Sequence, residues 1–354
     1  MDKGLSAKFQ APPGFGKTHV LKRLAADLRA AGHVAQMVAL CHVAVRNLGE
    51  DAMTIHAFCH RHVLNGTLKG WVLLDEVSQV PLALVNCLEH LHTAGTNVVC
   101  FGDERQRQPV EPTWRGKLVE LEALMRSRLL KLWCDCTCFE LTHYWCSTDR
   151  TFTDWFIQAR HTDRETAIAD ALARFPAKPG SADWNLCLSH RRRRLLNAEC
   201  QAFAARRYRE SFPDGLVVHL EPPKTERVDA NAAQAFYVFQ GTKLIGCNTD
   251  TQIVNGALLT VTRLTAAQVW LKDRETQKTC QLTPAGVMRH TRLQHTITIA
   301  ASQGRTLEGV VRVWDVHSRH FDTTHLYVAC SRCRGAEYLQ VMDGDCFATK
   351  KRMR

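Results

Sequence analysis

The sequence predicts an α/β protein of two units, each built on a parallel sheet, and three observations carry that expectation. Short apolar runs alternate with helical stretches through the first 145 residues; the runs WVLLDE (71–76) and TNVVCFGDE (96–104) both end in acidic residues; and the pattern restarts beyond residue 145. Strands alternating with helices pack as a parallel sheet covered on both faces, and such sheets gather ligands at the carboxyl ends of their strands. The expected domains are therefore residues 1–145 and 146–354, the second carrying a small β-rich insertion near 216–290.

After Gly16, KTHVLKRLAADLRAAG places Val20, Leu21, Leu24, Ala25 and Leu28 at helical spacing and ends on Gly32, a helix C-terminal signal. VAQMVALCHVAV, bounded by turn residues, reads as a buried strand, and 81–93 as a helix. In the second half a helical stretch at 151–175 precedes the break FPAKPGSAD and the strand WNLCLS. TKLIGCN, ALLTVTRL and QVWLKD read as short alternating strands, followed by HTITIAASQG, VVRVWDV, THLYVACS and EYLQVM.

The 354 residues are 45% hydrophobic and 23% charged, a globular composition. No apolar run approaches the ~18 residues that span a bilayer, and MDKGLSAKFQ lacks the layout of a secretory signal. A soluble intracellular protein, cytoplasmic or nuclear and without a membrane partner, is expected, with its fifteen cysteines reduced. The net charge of +11 favours polyanionic partners.

The phosphate-loop pattern G-x-x-x-x-G-K-[ST] maps onto Ala11 to Thr18, with Ala11 at the first glycine position. The loop Pro13–Gly14–Phe15–Gly16 and the helix start at Lys17, Thr18 and His19 are placed to wrap phosphates, chiefly through backbone N–H groups. Lys17 would reach the β and γ phosphates of ATP, and Thr18 would hold Mg²⁺. Such a loop needs a carboxylate for the magnesium and a second acid for the attacking water; Asp75 and Glu76 supply both. The competing reading of each piece alone is a glycine-rich turn and an ordinary acidic strand end.

These motifs resemble, in order, those of superfamily 1 helicases, most closely the RecD-like group and the petite-integration-frequency helicases. APPGFGKT resembles motif I, TIHAF (54–58) the segment after motif Ia, DEVSQV motif II, and FGDERQRQPV (101–110) motif III. NLCLSHRRRRLLN resembles the opening of the second RecA-like domain, IVNGALLTV the turn before its β insertion, ASQGRTLEGVVRV motif V, and YVACSRCRGAEYL motif VI. The resemblance implies two RecA-like domains with ATP between them and single-stranded nucleic acid, DNA above RNA, crossing their top. It implies a monomeric ATP-driven helicase or translocase moving 5′ to 3′. Gln106 would sense the γ-phosphate, Arg332 would be the arginine finger, and Gly304 would lie against the nucleotide. His56, Phe58, Ser302, Gln303 and Thr306 are the positions the family would turn to the nucleic acid, and Trp114 and Trp145 are further stacking candidates. For the aromatics the alternative is core packing, and for Arg332 a surface position at a strand end.

Three departures from the pattern stand out. Ala11 replaces a glycine; Cys146 in ELTHYWCSTD stands where the family has an arginine; and only ten residues precede the loop where an adenine-reading glutamine lies about twenty residues upstream. A cysteine supplies no permanent positive charge, so a divergent or truncated member is expected, with Arg150 a substitute cation and altered base selectivity. A weakened relic that binds nucleic acid or a partner without unwinding is the alternative function. Cys134, Cys136, Cys138 and Cys146 are read as packing residues along a strand in preference to zinc ligands, and Arg191 to Arg194 as either phosphate contacts or a solvated helix face.

Overall fold

The computed structural model describes residues 6–63, 68–80, 84, 90, 95–103, 106, 113–114, 117–118, 128–134, 137–145, 149–222, 232–248 and 252–344. The chain divides into two compact units, residues 1–163 with 323–335, and residues 164–322 with 336–354. The boundary expected at 145 falls inside the first of them.

In the first unit β1 (Ala7–Gln10) leads into α1 (Lys17–Ala30), followed by β2 (Ala35–Ala39), α2 (His42–Leu48), β3 (Met53–Thr54) and α3 (Ile55–Phe58). β4 (Trp71–Leu74), β5 (Asn97–Gly102), the short pair β6 (Thr113–Trp114) and β7 (Lys117–Leu118), α4 (Arg128–Trp133), β8 (Cys138–Glu140) and α5 (Arg150–Ala159) complete this stretch. Six strands form one sheet in the order β3-β2-β4-β5-β1-β8, every pairing parallel. The pleat sorts its side chains onto two faces. Leu73, Val99 and Phe101 pack with Leu21 and Ala25 of α1 and Ala44 and Leu48 of α2. Val72, Leu74, Val98 and Cys100 pack on the other side with Ile55, Phe58, Leu130 and Trp133. Burial on both faces explains why these strands read as continuous apolar runs.

VAQMVALCHVAV holds two elements where the sequence suggested one strand. The strand stops at Ala39, Cys41 takes extended N-cap geometry, and α2 begins at His42. Ala44 and Leu48, four apart, are the buried positions of that helix, a spacing that two turns of sequence are too short to reveal. The 81–93 helix lies outside the described residues except Leu84 and His90, both helical.

The second unit opens with α6 (Arg164–Arg174), β9 (Trp184–Cys187) and α7 (His190–Ser211), followed by the antiparallel pair β10 (Val218–Leu220) and β11 (Phe236–Val238). An antiparallel sheet follows: β12 (Lys243–Gly246), β13 (Leu258–Leu264), β14 (Val269–Asp273) and β15 (Thr279–Leu282), then α8 (Pro284–His290) and β16 (Thr291–Leu293), ordered β15-β14-β13-β12-β16. β17 (Thr296–Thr298), β18 (Val311–Val313) and β19 (Leu339–Val341) join β9 in a parallel sheet ordered β17-β9-β18-β19. Between β18 and β19 the chain makes α9 (Thr323–Cys330), which belongs to the first unit.

THLYVACS, expected as a strand, is α9. Its residues His325 to Cys330 are all buried; a helix buried on every side loses the 3.6-residue pattern that identifies a helix. Cys134 follows the end of α4 and is buried, while Cys138 starts β8 and is exposed, so they do not share one strand; Cys136 lies outside the described residues. Among the described residues no three His, Cys, Asp or Glu side chains converge.

His295 ties β17 to α7. Its Nε2 lies 2.7 Å from Oε1 of Gln201, and its carbonyl accepts from the backbone and side-chain amides of Asn185. Burial, then the nearby Lys243 ammonium, lower its pKa from 6.5 to about 4. Between those values the unfolded chain binds a proton that the folded chain excludes, so stability is full above pH 6.5 and falls as pH drops toward 4. Chemical unfolding at about pH 5 is expected to show about 1–2 kcal/mol less stability from this group than at pH 7, a difference that His295→Gln removes.

Candidate functional site

The loop between β1 and α1 lies at the carboxyl edge of the sheet. Gly14 (φ 86°) and Gly16 (φ 82°) occupy the left-handed region, which glycine enters without steric cost. Gly16 is also the N-cap of α1, and a Cβ there would meet Trp145 Cδ1 at 3.2 Å. Ala11 is 1% exposed, its N–H donating to the Gly102 carbonyl at 3.2 Å; its methyl packs inward and leaves the turn to Gly14 and Gly16. Lys17 is buried, and its Nζ donates to the carbonyls of Ala11 at 2.8 Å and Pro12 at 3.0 Å. His19 points outward from the first turn of α1.

Asp75 and Glu76 follow β4 directly. The Thr18 hydroxyl lies 3.4 Å from Asp75 Oδ2, and Asp75 Oδ1 accepts from the Glu76 N–H at 2.9 Å. Burial, then the Glu76 carboxylate, raise the Asp75 pKa to about 7, against the opposing pull of Lys17. A buried carboxylate so short of positive charge, beside a hydroxyl, is a hard-oxygen pair suited to Mg²⁺ completed by phosphate oxygens and water. Glu76 itself adopts φ 54°, ψ 41°, a left-handed conformation that costs a non-glycine residue on the order of 1–3 kcal/mol.

Sequence reasoning missed Gln79. A short 3₁₀ turn (Val77–Gln79) brings its side chain back, so that Nε2 donates to Glu76 Oε2 at 3.1 Å and to Gln106 Oε1 at 3.3 Å. One amide thus links the acid after β4 to the glutamine after β5. The three-residue spacing from Glu76 was the only signal, and it does not say which way an amide turns.

Asp103, at the end of β5, is 1% exposed and accepts from the Tyr327 hydroxyl of α9 at 2.7 Å. Tyr327 also packs edge-on against Phe156 of α5. Five residues on, Arg332 is 5% exposed, no surface arginine. Its guanidinium donates to the Val328 carbonyl at 3.2 Å and to the Ser331 hydroxyl at 2.7 Å. Burial lowers its pKa, while the Glu76, Tyr327 and Asp103 groups favour its charge, Glu76 most strongly. Lys17, Thr18, Asp75, Glu76, Gln106 and Arg332 therefore all belong to one compact unit.

Two expected nucleic-acid positions are corrected. Phe58 is fully buried among Ile55, Val72 and Trp133, and Ser302 is fully buried with its hydroxyl donating to the Ile299 carbonyl at 2.7 Å, so neither presents a side chain to a polymer. His56 and Thr306 are exposed, and Gln303 and Gly304 half-buried, Gly304 with φ 73°. Trp145 is 70% exposed, its backbone N–H donating to the Gly14 carbonyl at 2.9 Å. Trp114 is a strand residue of β6 whose side chain, like Cys146, is outside the described set. Arg150 pairs loosely with Asp154 at 3.8 Å on the exposed face of α5. Arg192 pairs with Asp315 at 2.8 Å and Arg193 is buried, leaving Arg191 as the exposed member of the arginine run.

A family model described as an AAA domain matches residues 2–129. No curated protein matches the chain. Among solved structures, the Pif1 helicase from Candida albicans superposes with a TM-score of 0.67 at 19% identity, over 97% of this chain and 91% of that one. Bacteroides Pif1 bound to ssDNA gives 0.61 at 18% identity, over 96% and 89%. The Bacteroides helicase in complex with ADP-AlF3 and ssDNA gives 0.61 at 18%, over 97% and 90%. The fold of this chain is that of the Pif1 helicases.

Proposed function

We propose that the protein is an ATP-dependent helicase or translocase that hydrolyses ATP at the Lys17 loop to move on single-stranded nucleic acid, DNA in preference to RNA, in the 5′ to 3′ direction. The observation that carries this reading is the convergence within one unit of a phosphate loop, two acids, a glutamine and a buried arginine. The solved Pif1 structures that share the fold, one with ssDNA and one with ADP-AlF3 and ssDNA, support it.

In this reading the phosphates of ATP draw Lys17 Nζ away from the Ala11 and Pro12 carbonyls that it contacts. Thr18 and Asp75 would hold Mg²⁺, which when bound would supply positive charge to the phosphate oxygens. Glu76 accepts a proton from water as the water oxygen bonds to the γ-phosphorus and the bond to the β-γ bridging oxygen breaks, leaving ADP and phosphate. Gln79 positions Glu76 and couples it to Gln106, which orients toward the γ-phosphate. Arg332 stabilises the charge of the transferring group. On the nucleic-acid side the exposed His56 and Thr306 and the half-buried Gln303 are the residues proposed to meet the strand, and Trp145 lies over the phosphate loop.

ATP turnover measured with and without single-stranded DNA tests the proposal. Turnover is expected to rise about ten-fold or more with the strand, and duplexes with a 5′ single-stranded tail to be opened ahead of those with a 3′ tail. Turnover indifferent to nucleic acid overturns it. Cys146, in place of an arginine, favours one rival, a relic that binds without unwinding; it predicts a wild-type chain without turnover that Cys146→Arg awakens.

A further inference from the structure

We propose that the C-terminal half of α7, with Tyr237 of β11, forms a second contact surface for single-stranded nucleic acid. This rests on the helicase reading above and adds to it a site that no helicase motif contains.

The arginines of α7 fall into two groups. Those near its start serve the fold, Arg192 through Asp315 and Arg193 through burial. Arg206, Arg207 and Arg209 are exposed, and none is paired with a carboxylate among the described residues. They lie about 24–29 Å along the helix from its N-terminus at ~1.5 Å per residue. Cations complement the dipole of a helix C-terminus, which accounts for Arg209 in the last turn. It does not account for the aromatics that accompany them. Phe203 is 54% exposed and lies one turn from Arg207, whose guanidinium sits 5.9 Å from its ring.

The surface also contains a cavity of about 420 Å³ lined by Ala202, Arg206, Arg209, Glu210 and Tyr237. Its wall is fixed by the fold. Gln201 donates its amide to the Tyr237 carbonyl while holding His295 through its Oε1, and Tyr208 stacks on Phe239 at 4.7 Å behind it. Arg209 is held over the Tyr237 ring, 5.1 Å from its centroid. A guanidinium stacked on an aromatic keeps its edge free for bidentate bonds to phosphate. Two arginines at the cavity mouth that no carboxylate among the described residues pairs, outweighing Glu210, suit a phosphate. The exposed face of Phe203 offers a platform for an adjacent base, the combination with which proteins bind single strands independently of sequence.

Binding of an oligothymidylate, titrated over a range of salt, decides the matter. The double variant Arg206→Glu, Arg209→Glu is expected to bind about ten-fold or more weakly at ~0.1 M salt, with the slope of log K against log salt shallower by about 1.4, two phosphate contacts at ~0.7 each. Phe203→Ala, at an exposed position, is expected to weaken binding by about ten-fold with the slope unchanged, because stacking releases no counterions. Variants that bind with wild-type strength and slope overturn the surface while leaving the helicase reading intact; a wild-type chain that binds no oligothymidylate overturns both. Displacement of the oligonucleotide from the wild type, but not from the double variant, by polyglutamate at equal charge concentration and equal strength assigns the surface to an acidic protein partner and overturns it as well.

Discussion

Glu76→Gln is expected to lower nucleic-acid-stimulated ATP turnover by about 10²–10⁴-fold, the span of a lost general base, while nucleotide binding, read by fluorescence anisotropy of a labelled ATP analogue, stays near wild type. The geometry makes the separation sharp. Glu76 contributes no bond to the phosphate loop; Lys17 and the glycine turn are placed by β1 and α1, and the Mg²⁺ pair Thr18–Asp75 retains its partners in the variant. Glutamine is isosteric and can still bond to Gln79, but it accepts no proton from water. Gln79→Leu tests the same arrangement one step removed. It frees both the Glu76 carboxylate and the Gln106 carbonyl that its amide joins, and is expected to reduce kcat by about ten-fold with little change in KM. A Gln79→Leu variant with wild-type kcat would separate Gln79 from the reaction.

Arg332→Ala is expected to cost on the order of 10³ or more in turnover, the usual effect of removing an arginine finger, and Arg332→Lys to recover little of it. A lysine retains the charge but loses the planar fork, and it is the fork that reaches the Ser331 hydroxyl and the Val328 carbonyl. Because Arg332 is buried beside Glu76 and Asp103, its removal leaves those carboxylates short of a counter-charge. Thermal unfolding therefore belongs beside the kinetic measurement: the lysine variant is expected to melt near wild type, which assigns its loss of turnover to the reaction. Phosphate release followed by stopped flow, with saturating single-stranded DNA, gives the turnover of each.

The sequence carried the chemistry further than the elements. The residues on which the proposed reaction calls, Lys17, Thr18, Asp75, Glu76, Gln106 and Arg332, stood out by type and order, and the structure places them in one unit. Strands β4 and β5 were legible because both faces are buried and their apolar runs are unbroken. The same burial hid α9, whose side chains from His325 to Cys330 are all buried, and hid α2 behind the end of β2. Phe58 and Ser302 show the complementary failure: a motif supplies residue types, but the direction of each side chain is decided by packing that no local stretch encodes. Gln79 needed a left-handed Glu76 before it could turn back, a backbone state that glutamate rarely adopts and that sequence does not announce.

The excursion of α9 changes what a fragment of this protein can be. Residues 323–335 are strung between β18 and β19, yet they complete the body that holds the phosphate loop. Cutting the chain after residue 163 therefore yields no self-sufficient halves: the first piece would lack Tyr327 and Arg332, and the second would carry six buried residues of α9 without their seat. Peptide connections join α9, at both ends, to two adjacent strands of the other unit's sheet.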